Sequence, residues 1–208
     1  MAKISLTKGE LKKQRDALRQ YLRYLPTLQL KKQQLQMEIL HQNALIEERR
    51  RSEGALMRGM EVWLGLLGDP LRGIDIRKWV VPSGIVTGTR NIAGVDLPIF
   101  EKAEFSDAEY DLFAVPLWID AAIIELRKLV SARAEIAIIE QDIAILKREL
   151  RITTQRVNLF EKVKIPEAEE AIRRIKIYIG DQMANAVGRS KIAKRKIEAA
   201  FEREVLVA

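Results

Sequence analysis

The chain contains two long stretches without a helix-breaking residue, because neither glycine nor proline occurs in residues 27–53 or in residues 117–165. Between these stretches glycine and proline are frequent: six of the chain's eleven glycines and three of its six prolines fall within residues 65–98. Glycine and proline disfavour the interior of a helix, so each flank predicts a helix far longer than three turns. The pattern therefore predicts two helical arms joined by an insert.

Both arms carry apolar residues at alternating steps of three and four, the period of a left-handed coiled coil. In the first arm this seam runs from Leu11 to Leu67 in one register, and in the second arm it runs from Leu129 to Phe160. The central seam positions are Leu18, Leu25, Leu28, Leu35, Ile39 and Ile46 in the first arm and Ile136, Ile139, Ile143, Leu146 and Leu150 in the second. A single stripe of this length favours a helix that packs against one partner helix.

The ends of the helices are marked by local signals. Thr7 followed by Glu10 matches a capping box, so the first helix is predicted to begin near residue 7 or 8 and to end near Leu67. The second helix is predicted from about Val115 to the C-terminus. At about 1.5 Å per residue these helices would measure roughly 85 and 130 Å. Pro26 and Pro166 are predicted to kink the helices without ending them.

Two helices that each bury one stripe most simply fold back on one another as an antiparallel pair. The predicted fold is therefore mainly α, a long antiparallel two-helix coiled coil with a small β-hairpin-containing insert. Its predicted parts are the N-terminal helix, residues 1–67, the insert, residues 68–114, and the C-terminal helix, residues 115–208.

The insert is predicted to be rich in β-structure. Residues 74–81 and 90–100 carry β-branched and aromatic side chains, which favour strands. Turn signals at Pro82–Gly84 and at Gly88 bound these two segments.

Composition excludes most kinds of chemistry. The chain has no cysteine, which removes disulfides, thiol nucleophiles and cysteine-ligated metals, and it has one histidine, His41. No Walker loop or dinucleotide-binding glycine motif is present, and adjacent carboxylates such as Glu47 and Glu48 point apart on a helix. Neither a signal peptide nor a long uncharged apolar stretch occurs. The sequence therefore predicts no active site, no metal and no cofactor.

The charge distribution leaves two interpretations open. The net charge is +7 for residues 1–60, −5 for residues 61–120 and +5 for the remainder. The basic run Arg49–Arg51 and the cations between Arg189 and Lys196 suit an anionic partner such as nucleic acid or a membrane surface. Neighbouring glutamates favour the simpler interpretation, a helix face of ion pairs. A basic coiled-coil module that binds membrane or nucleic acid is the alternative function.

Three segments, in order along nearly the whole chain, resemble a known family. Residues 156–166 match the pattern R-V-N-x-[LF]-E-x-x-x-I-P, found in the C-terminal helix of the D subunit of V-type and A-type rotary ATPases. Residues 91–98 are similar to the N-x-x-G-V-x-x-P hairpin element of that family, and residues 6–32 resemble the N-terminal helix of its bacterial branch. The matching positions are Arg156, Val157, Asn158, Glu161, Ile165, Pro166, Asn91, Gly94, Val95 and Pro98.

The resemblance implies a non-catalytic rotor shaft that binds no nucleotide or other cofactor. In the family the paired helices enter the catalytic head of A and B subunits, and the other end meets the funnel-shaped subunit above the membrane ring. The F subunit binds along the shaft near the hairpin. The resemblance implies no binding of nucleic acid and no insertion into the membrane. It places the chain peripherally at the cytoplasmic face, in a complex that synthesises or hydrolyses ATP and moves ions.

Overall fold

The long helices expected from the two uninterrupted flanks are present in the computed structural model. It describes residues 5–68, 76–110 and 116–207, with side chains described except at residues 67–68 and 201–207. The elements in chain order are α1 (Lys8–Leu64), a 3₁₀ turn (Gly65–Gly68), α2 (Arg77–Val80), β1 (Pro82–Ile92), β2 (Val95–Phe105), α3 (Ile119–Leu159), a π-helical segment (Phe160–Lys164) and α4 (Ile165–Val207). The predicted fold class, two long helices with a β-hairpin between them, is confirmed.

The first helix begins as its capping signal predicts. The Glu10 amide donates a hydrogen bond to Thr7 Oγ1 at 3.2 Å, and the Glu10 carboxylate accepts one from Gln14 Nε2 at 2.8 Å. The helix gives way to the 3₁₀ turn after Leu64, slightly before the predicted end at Leu67. α3 begins at Ile119, and the predicted start at Val115 lies outside the described residues.

Neither proline ends its helix. α1 continues through Pro26, and α4 continues beyond Pro166. The backbone before Pro166 is not regular α-helix, because Phe160–Lys164 is π-helical. Proline lacks an amide hydrogen and its ring crowds the preceding turn, and at Pro166 the wider π-turn lies in the segment that this ring crowds.

The chain divides into two compact units, one formed by Met1–Gln29 with Gln155–Ala208 and the other by Leu30–Thr154. In the second unit α1 and α3 run antiparallel, because residues later in α1 contact residues earlier in α3. Lys31 Nζ lies 2.9 Å from Glu149 Oε1, and Glu53 Oε1 lies 2.8 Å from Arg133 Nε. Between these ion pairs, Ile46 packs against α3 residues of the seam.

In the unit of residues 1–29 and 155–208, the N-terminal and C-terminal helices also share an apolar seam. Tyr21 and Phe160 meet with ring centroids 5.4 Å apart. The seam positions of α1 in this unit are half-buried. The buried apolar side chains on the C-terminal side of the seam are Val157, Ala168, Ala171, Ile172 and Ile175.

The hairpin is a two-stranded antiparallel sheet whose register runs from Pro82 opposite Phe105 to Ile92 opposite Val95. The predicted turn positions are wrong. Gly84 and Gly88 lie inside β1, and Gly84 follows an irregularity in the register that a glycine accommodates easily. The turn lies inside the segment 90–100, for which composition predicts a single strand.

The predicted strand 74–81 is also wrong, because Arg77–Val80 form the short helix α2; residues 74 and 75 lie outside the described residues. The apolar side chains of this segment instead enter a second small core. That core contains Ile76, Ile119 and Ile123, with Trp79, Val80, Ala108, Tyr110, Trp118 and Leu126 packed around it. A short run of β-branched and aromatic residues therefore forms one turn of helix here and packs its apolar side chains into this core.

Arg127 of α3 connects the elements around this second core. Its Nε donates to the carbonyl oxygen of Trp79 at 2.9 Å, and its Nη2 donates to that of Ser106 at 2.6 Å. Its guanidinium carbon lies 5.2 Å from the centroid of the Phe105 ring, in cation–π geometry. One side chain thus ties α3 to α2 and to the end of β2.

Candidate interaction surfaces

The signature residues of the hairpin build its turn. Asn91 Oδ1 accepts a hydrogen bond from the Gly94 amide at 3.1 Å, and Asn91 Nδ2 donates to Asp96 Oδ1 at 2.6 Å. Ala93 and Gly94 have φ angles of 51° and 74°, the left-handed conformation required at both central positions of a type I′ turn. This turn matches the twist of the strands, so Asn91 and Gly94 determine where the hairpin reverses.

The turn end of the hairpin is anchored on the helix pair. Val95 and Leu97 are buried, and Pro98 is half-buried on the same strand. Val95 and Leu97 share one core cluster with the helix residues Leu35, Ile39 and Leu146. Of the predicted hairpin positions, Val95 therefore contributes packing, while Asn91 and Gly94 shape the turn.

A polar contact lies beside this apolar anchor. Glu38 Oε1 of α1 accepts a hydrogen bond from Arg90 Nη2 of β1 at 2.9 Å. The same oxygen accepts from Gln42 Nε2 at 2.8 Å, and the Gln42 side chain is buried. Arg90 therefore supplies a charged connection between β1 and α1.

Asp142 of α3 is a buried carboxylate in the same region. The residue is 5% exposed, and its Oδ1 has no hydrogen-bond partner. Burial raises the pKa of Asp142 from 3.8 to about 6, with the charge of Arg90 lowering the pKa and that of Glu38 raising it further. A carboxylate without donors in a dehydrated site favours its protonated form.

The R-V-N signature lies where α3 passes into the π-helical segment. Val157 is buried in the seam and Ile165 is half-buried, whereas Arg156, Asn158, Glu161 and Pro166 are exposed. Val157 and Ile165 therefore contribute to helix packing, whereas Pro166 and the polar members of the signature face solvent. The two signature segments, 156–166 and 91–98, lie in different units of the chain.

The basic run of α1 is occupied by ion pairs. Arg49 Nε lies 2.9 Å from Glu135 Oε1, and Arg50 Nη2 lies 2.6 Å from Glu140 Oε1, both on α3. Arg51 Nη2 lies 4.0 Å from Glu47 Oε2 on its own helix. The run forms ion pairs as predicted, but Arg49 and Arg50 pair with glutamates of α3 and only Arg51 approaches a neighbouring glutamate, so the run contributes to joining α1 to α3.

The C-terminal part of α4 presents a different surface. From residue 180 to residue 200 every described side chain is exposed. The large apolar side chains on this segment are Met183, Val187, Ile192 and Ile197. At about 3.6 residues per turn, Met183, Val187 and Ile197 share one face of the helix, whereas Ile192 lies on the opposite face among the cations from Arg189 to Lys196. Exposed large apolar side chains gathered on one helix face, with cations nearby, are typical of a surface that a partner covers.

The described residues contain no cluster of three or more His, Asp or Glu side chains placed to hold a metal ion. His41 is exposed on α1. Within the same described ranges, no helix combines the length and apolar character that crossing a bilayer demands.

Comparisons with known proteins identify the family to which this chain belongs. Residues 10–195 match the family model for the D subunit of ATP synthase. The chain belongs to this family of ATP synthase D subunits. It is 43% identical to the V-type ATP synthase D subunit of Borreliella burgdorferi over 197 residues, which cover 95% of this chain and 96% of the relative. It is 32% identical to the protein of the same name from Chlamydia pneumoniae, with 94% of this chain and 93% of the relative covered.

Sequence reasoning missed Asp142. A signal for it exists, since Asp142 lies four residues after Ile138 and four before Leu146, and both of these side chains are buried. Residues four apart share one face of a helix, so a carboxylate flanked in this way is expected to be buried too. Arg127 was also missed, and no motif in the sequence marks its contacts with backbone carbonyls.

Proposed function

We propose that this protein is the non-catalytic central-stalk subunit, or rotor shaft, of a V/A-type rotary ATPase. It transmits torque between the catalytic head and the membrane ion-translocating ring during ATP hydrolysis or synthesis. The supporting observation is the helix pair of residues 30–154, which is joined by a buried seam and by ion pairs between α1 and α3. Two helices joined along their length resist deformation better than one helix does.

The proposed partners of the C-terminal part of α4 are the catalytic A and B subunits. Met183, Val187 and Ile197 offer apolar contact, and the cations from Arg189 to Lys196 attract acidic loops. Attraction between exposed charges is screened by salt and depends little on direction. Such contacts suit a surface that must turn inside the head without locking.

The F subunit and the funnel-shaped subunit above the membrane ring complete the proposed set of partners. Arg156, Asn158 and Glu161 are exposed and could contact a partner, whereas Val157 and Ile165 keep the helices paired. The three-part division into residues 1–67, 68–114 and 115–208 is proposed to separate shaft from insert. The protein is proposed to lie at the cytoplasmic face of the membrane as a peripheral part of the complex.

Rotation of an asymmetric shaft changes its contacts with the catalytic interfaces, and this couples rotation to catalysis. At each angle it presents different side chains to the three catalytic interfaces of the head. Differential contact biases the nucleotide affinity of each interface, which is what coupling between sites requires. The irregular backbone before Pro166 is a proposed source of that asymmetry.

Reconstitution tests the assignment to the head. The purified protein is mixed with the A and B subunits, and the complex and its ATPase rate are measured. We expect one copy of this chain for three copies each of A and B, a changed ATPase rate, and no hydrolysis by this chain alone. Binding to nucleic acid or anionic vesicles, without binding to A and B, would instead support the basic coiled-coil alternative.

Single-molecule rotation tests torque transmission. The chain has no cysteine, so Thr87→Cys supplies one thiol on an exposed position of β1 for attaching a bead. With the head fixed to a surface, we expect ATP to drive rotation of the bead in one direction. A bead that stays still while the head hydrolyses ATP would contradict the proposal.

A further inference from the structure

The turn end of the hairpin rests on the helix pair through two kinds of contact. Val95 and Leu97 supply an apolar anchor, and Arg90 supplies an ion pair with Glu38. Asp142 lies one helical turn before Leu146, which belongs to the same anchor. Since residues four apart share a helix face, Asp142 faces the hairpin side of α3.

The charges around Asp142 are balanced only when its carboxyl is neutral. Arg90 from β1 and Glu38 from α1 are the charged groups that act on it, and they already form a pair with each other. On β2, Asp96 is held near the turn by Asn91. An ionised Asp142 therefore adds a second negative charge to a site with one cation, and its Oδ1 has no donor.

We propose that Asp142 is a proton-binding site that controls how firmly the turn end of the hairpin docks on α1 and α3. With the carboxyl protonated, the docked hairpin covers a neutral group. With the carboxylate ionised, the docked arrangement keeps a dehydrated charge, and lifting the hairpin lets water reach it. We call the hairpin, residues 82–105, a proton-linked latch, because proton binding at Asp142 favours its docked position.

The direction of the pH effect follows from linkage. The pKa of Asp142 is about 6 when the hairpin is docked, and we expect it to return toward 3.8 when water reaches the carboxyl. The docked state then binds the proton more tightly, so docking is strongest below both values and weakens as the pH rises from about 4 through 6. Above about pH 7 the effect is complete, and the equilibrium constant for docking is ten- to about a hundredfold smaller than at low pH.

Native-state hydrogen exchange on the full chain tests the latch. An isolated two-stranded hairpin is only marginally stable, so lifting it exposes the amides of residues 89–97 to exchange. After correction for intrinsic exchange rates, we expect protection of these amides to fall ten- to about a hundredfold between pH 4 and pH 7.5. We also expect them to be less protected than the seam amides around Ile46 at every pH, as a separate opening of the hairpin requires.

Two variants and one control make the test specific. Asp142→Asn keeps the shape but cannot ionise, so the pH dependence of hairpin protection should disappear and protection should stay high. Arg90→Gln removes the cation and should lower protection at every pH. The control, Glu61→Gln, removes an exposed carboxylate of α1 and should behave as the wild type.

Three results would overturn the latch. The first is protection in the wild type that does not change with pH. The second is an unchanged pH response in Asp142→Asn. The third is exchange of the hairpin amides only together with the seam amides.

Discussion

Glu53 of α1 and Arg133 of α3 lie with Oε1 and Nε 2.8 Å apart, although eighty positions separate them in the chain. Together with the contact between Lys31 and Glu149, this pair identifies the antiparallel register of the helices in residues 30–154. Hydrophobic periodicity cannot supply this register, because each stripe repeats every turn and many alignments bury it equally well. Ion pairs between specific positions distinguish one alignment from its neighbours.

Leu146→Ala should destabilise the chain more than any change on the outer face of the helices. Leu146 is fully buried between α1 and the hairpin, and deletion of such a side chain costs about 2–5 kcal/mol through lost transfer energy and a cavity. Urea denaturation followed by circular dichroism measures the loss. Leu40→Ala, at an exposed position of α1, is the matched control and should change the unfolding free energy by under about 0.5 kcal/mol. Equal losses would contradict the packing described for Leu146.

Gly94→Ala and Ala93→Gly should have opposite effects. Gly94 has a φ of 74°, so adding a Cβ strains the turn, and a loss of about 1–2 kcal/mol is expected. Ala93 already bears that strain at a φ of 51°, so glycine there should be neutral or stabilising by up to about 1 kcal/mol. Thermal unfolding of both variants checks the sign. Destabilisation of similar size by both changes would contradict a type I′ turn at these residues.

The helices and the presence of a hairpin could be predicted from residue patterns, whereas composition and turn signals misplace its strands and its turn, and the family resemblance at residues 91–98 is what points to the turn. A helical seam repeats over many turns, so one unfavourable residue does not obscure it. In the insert, Ile76, Trp79 and Val80 resemble a strand by composition but fill a small core from one turn of helix. Gly84 and Gly88 resemble turns but lie in β1, and at Gly88 a Cβ would stand 2.7 Å from Glu101 Oε1.

The buried polar contacts could not be predicted, because they depend on which residues meet across the fold. Arg90 and Glu38 are 52 positions apart, and Asp142 is at least as remote from each of them in sequence. Of the signature residues, the roles of Asn91 and Gly94 in the turn follow from their chemistry. The partners of Arg156, Asn158 and Glu161 stay predictions, since these side chains face solvent.

Asp142→Asn should stabilise the chain against global unfolding, and by more at neutral pH than at acidic pH. The pKa of Asp142 is raised by burial to about 6, so its stabilising proton is fully bound below about pH 4 and is lost as the pH rises through 6. The increase in unfolding free energy caused by Asp142→Asn should grow by no more than about 1.4 kcal/mol per pH unit in this range and then level off. Urea titrations at pH 4, 5, 6 and 7.5 measure it. A gain that is constant across these values would contradict the raised pKa.

Met183→Asp should weaken binding to the catalytic head without destabilising the isolated chain. Met183 is exposed on α4, so the unfolding free energy should change by under about 0.5 kcal/mol. If the head covers this position, a buried carboxylate would weaken binding at least tenfold. Asn185→Asp adds the same charge two residues away, outside the set of large exposed apolar side chains, and serves as the control. Equal binding of the wild type and Met183→Asp to A and B subunits would place the contact elsewhere.

Pro166→Ala should partly uncouple ATP hydrolysis from ion pumping. Restoring an amide hydrogen at position 166 removes the reason for the π-helical segment before it, so Phe160–Lys164 should become regular α-helix and the asymmetry of the proposed shaft should decrease. We expect the assembled complex to form in normal amounts, while the number of ions moved per ATP falls. Ion transport and ATPase rates measured together in membrane vesicles give this ratio. Pro26→Ala is the matched control, because α1 is already regular at Pro26. An unchanged ratio in Pro166→Ala would contradict a role for this segment in coupling.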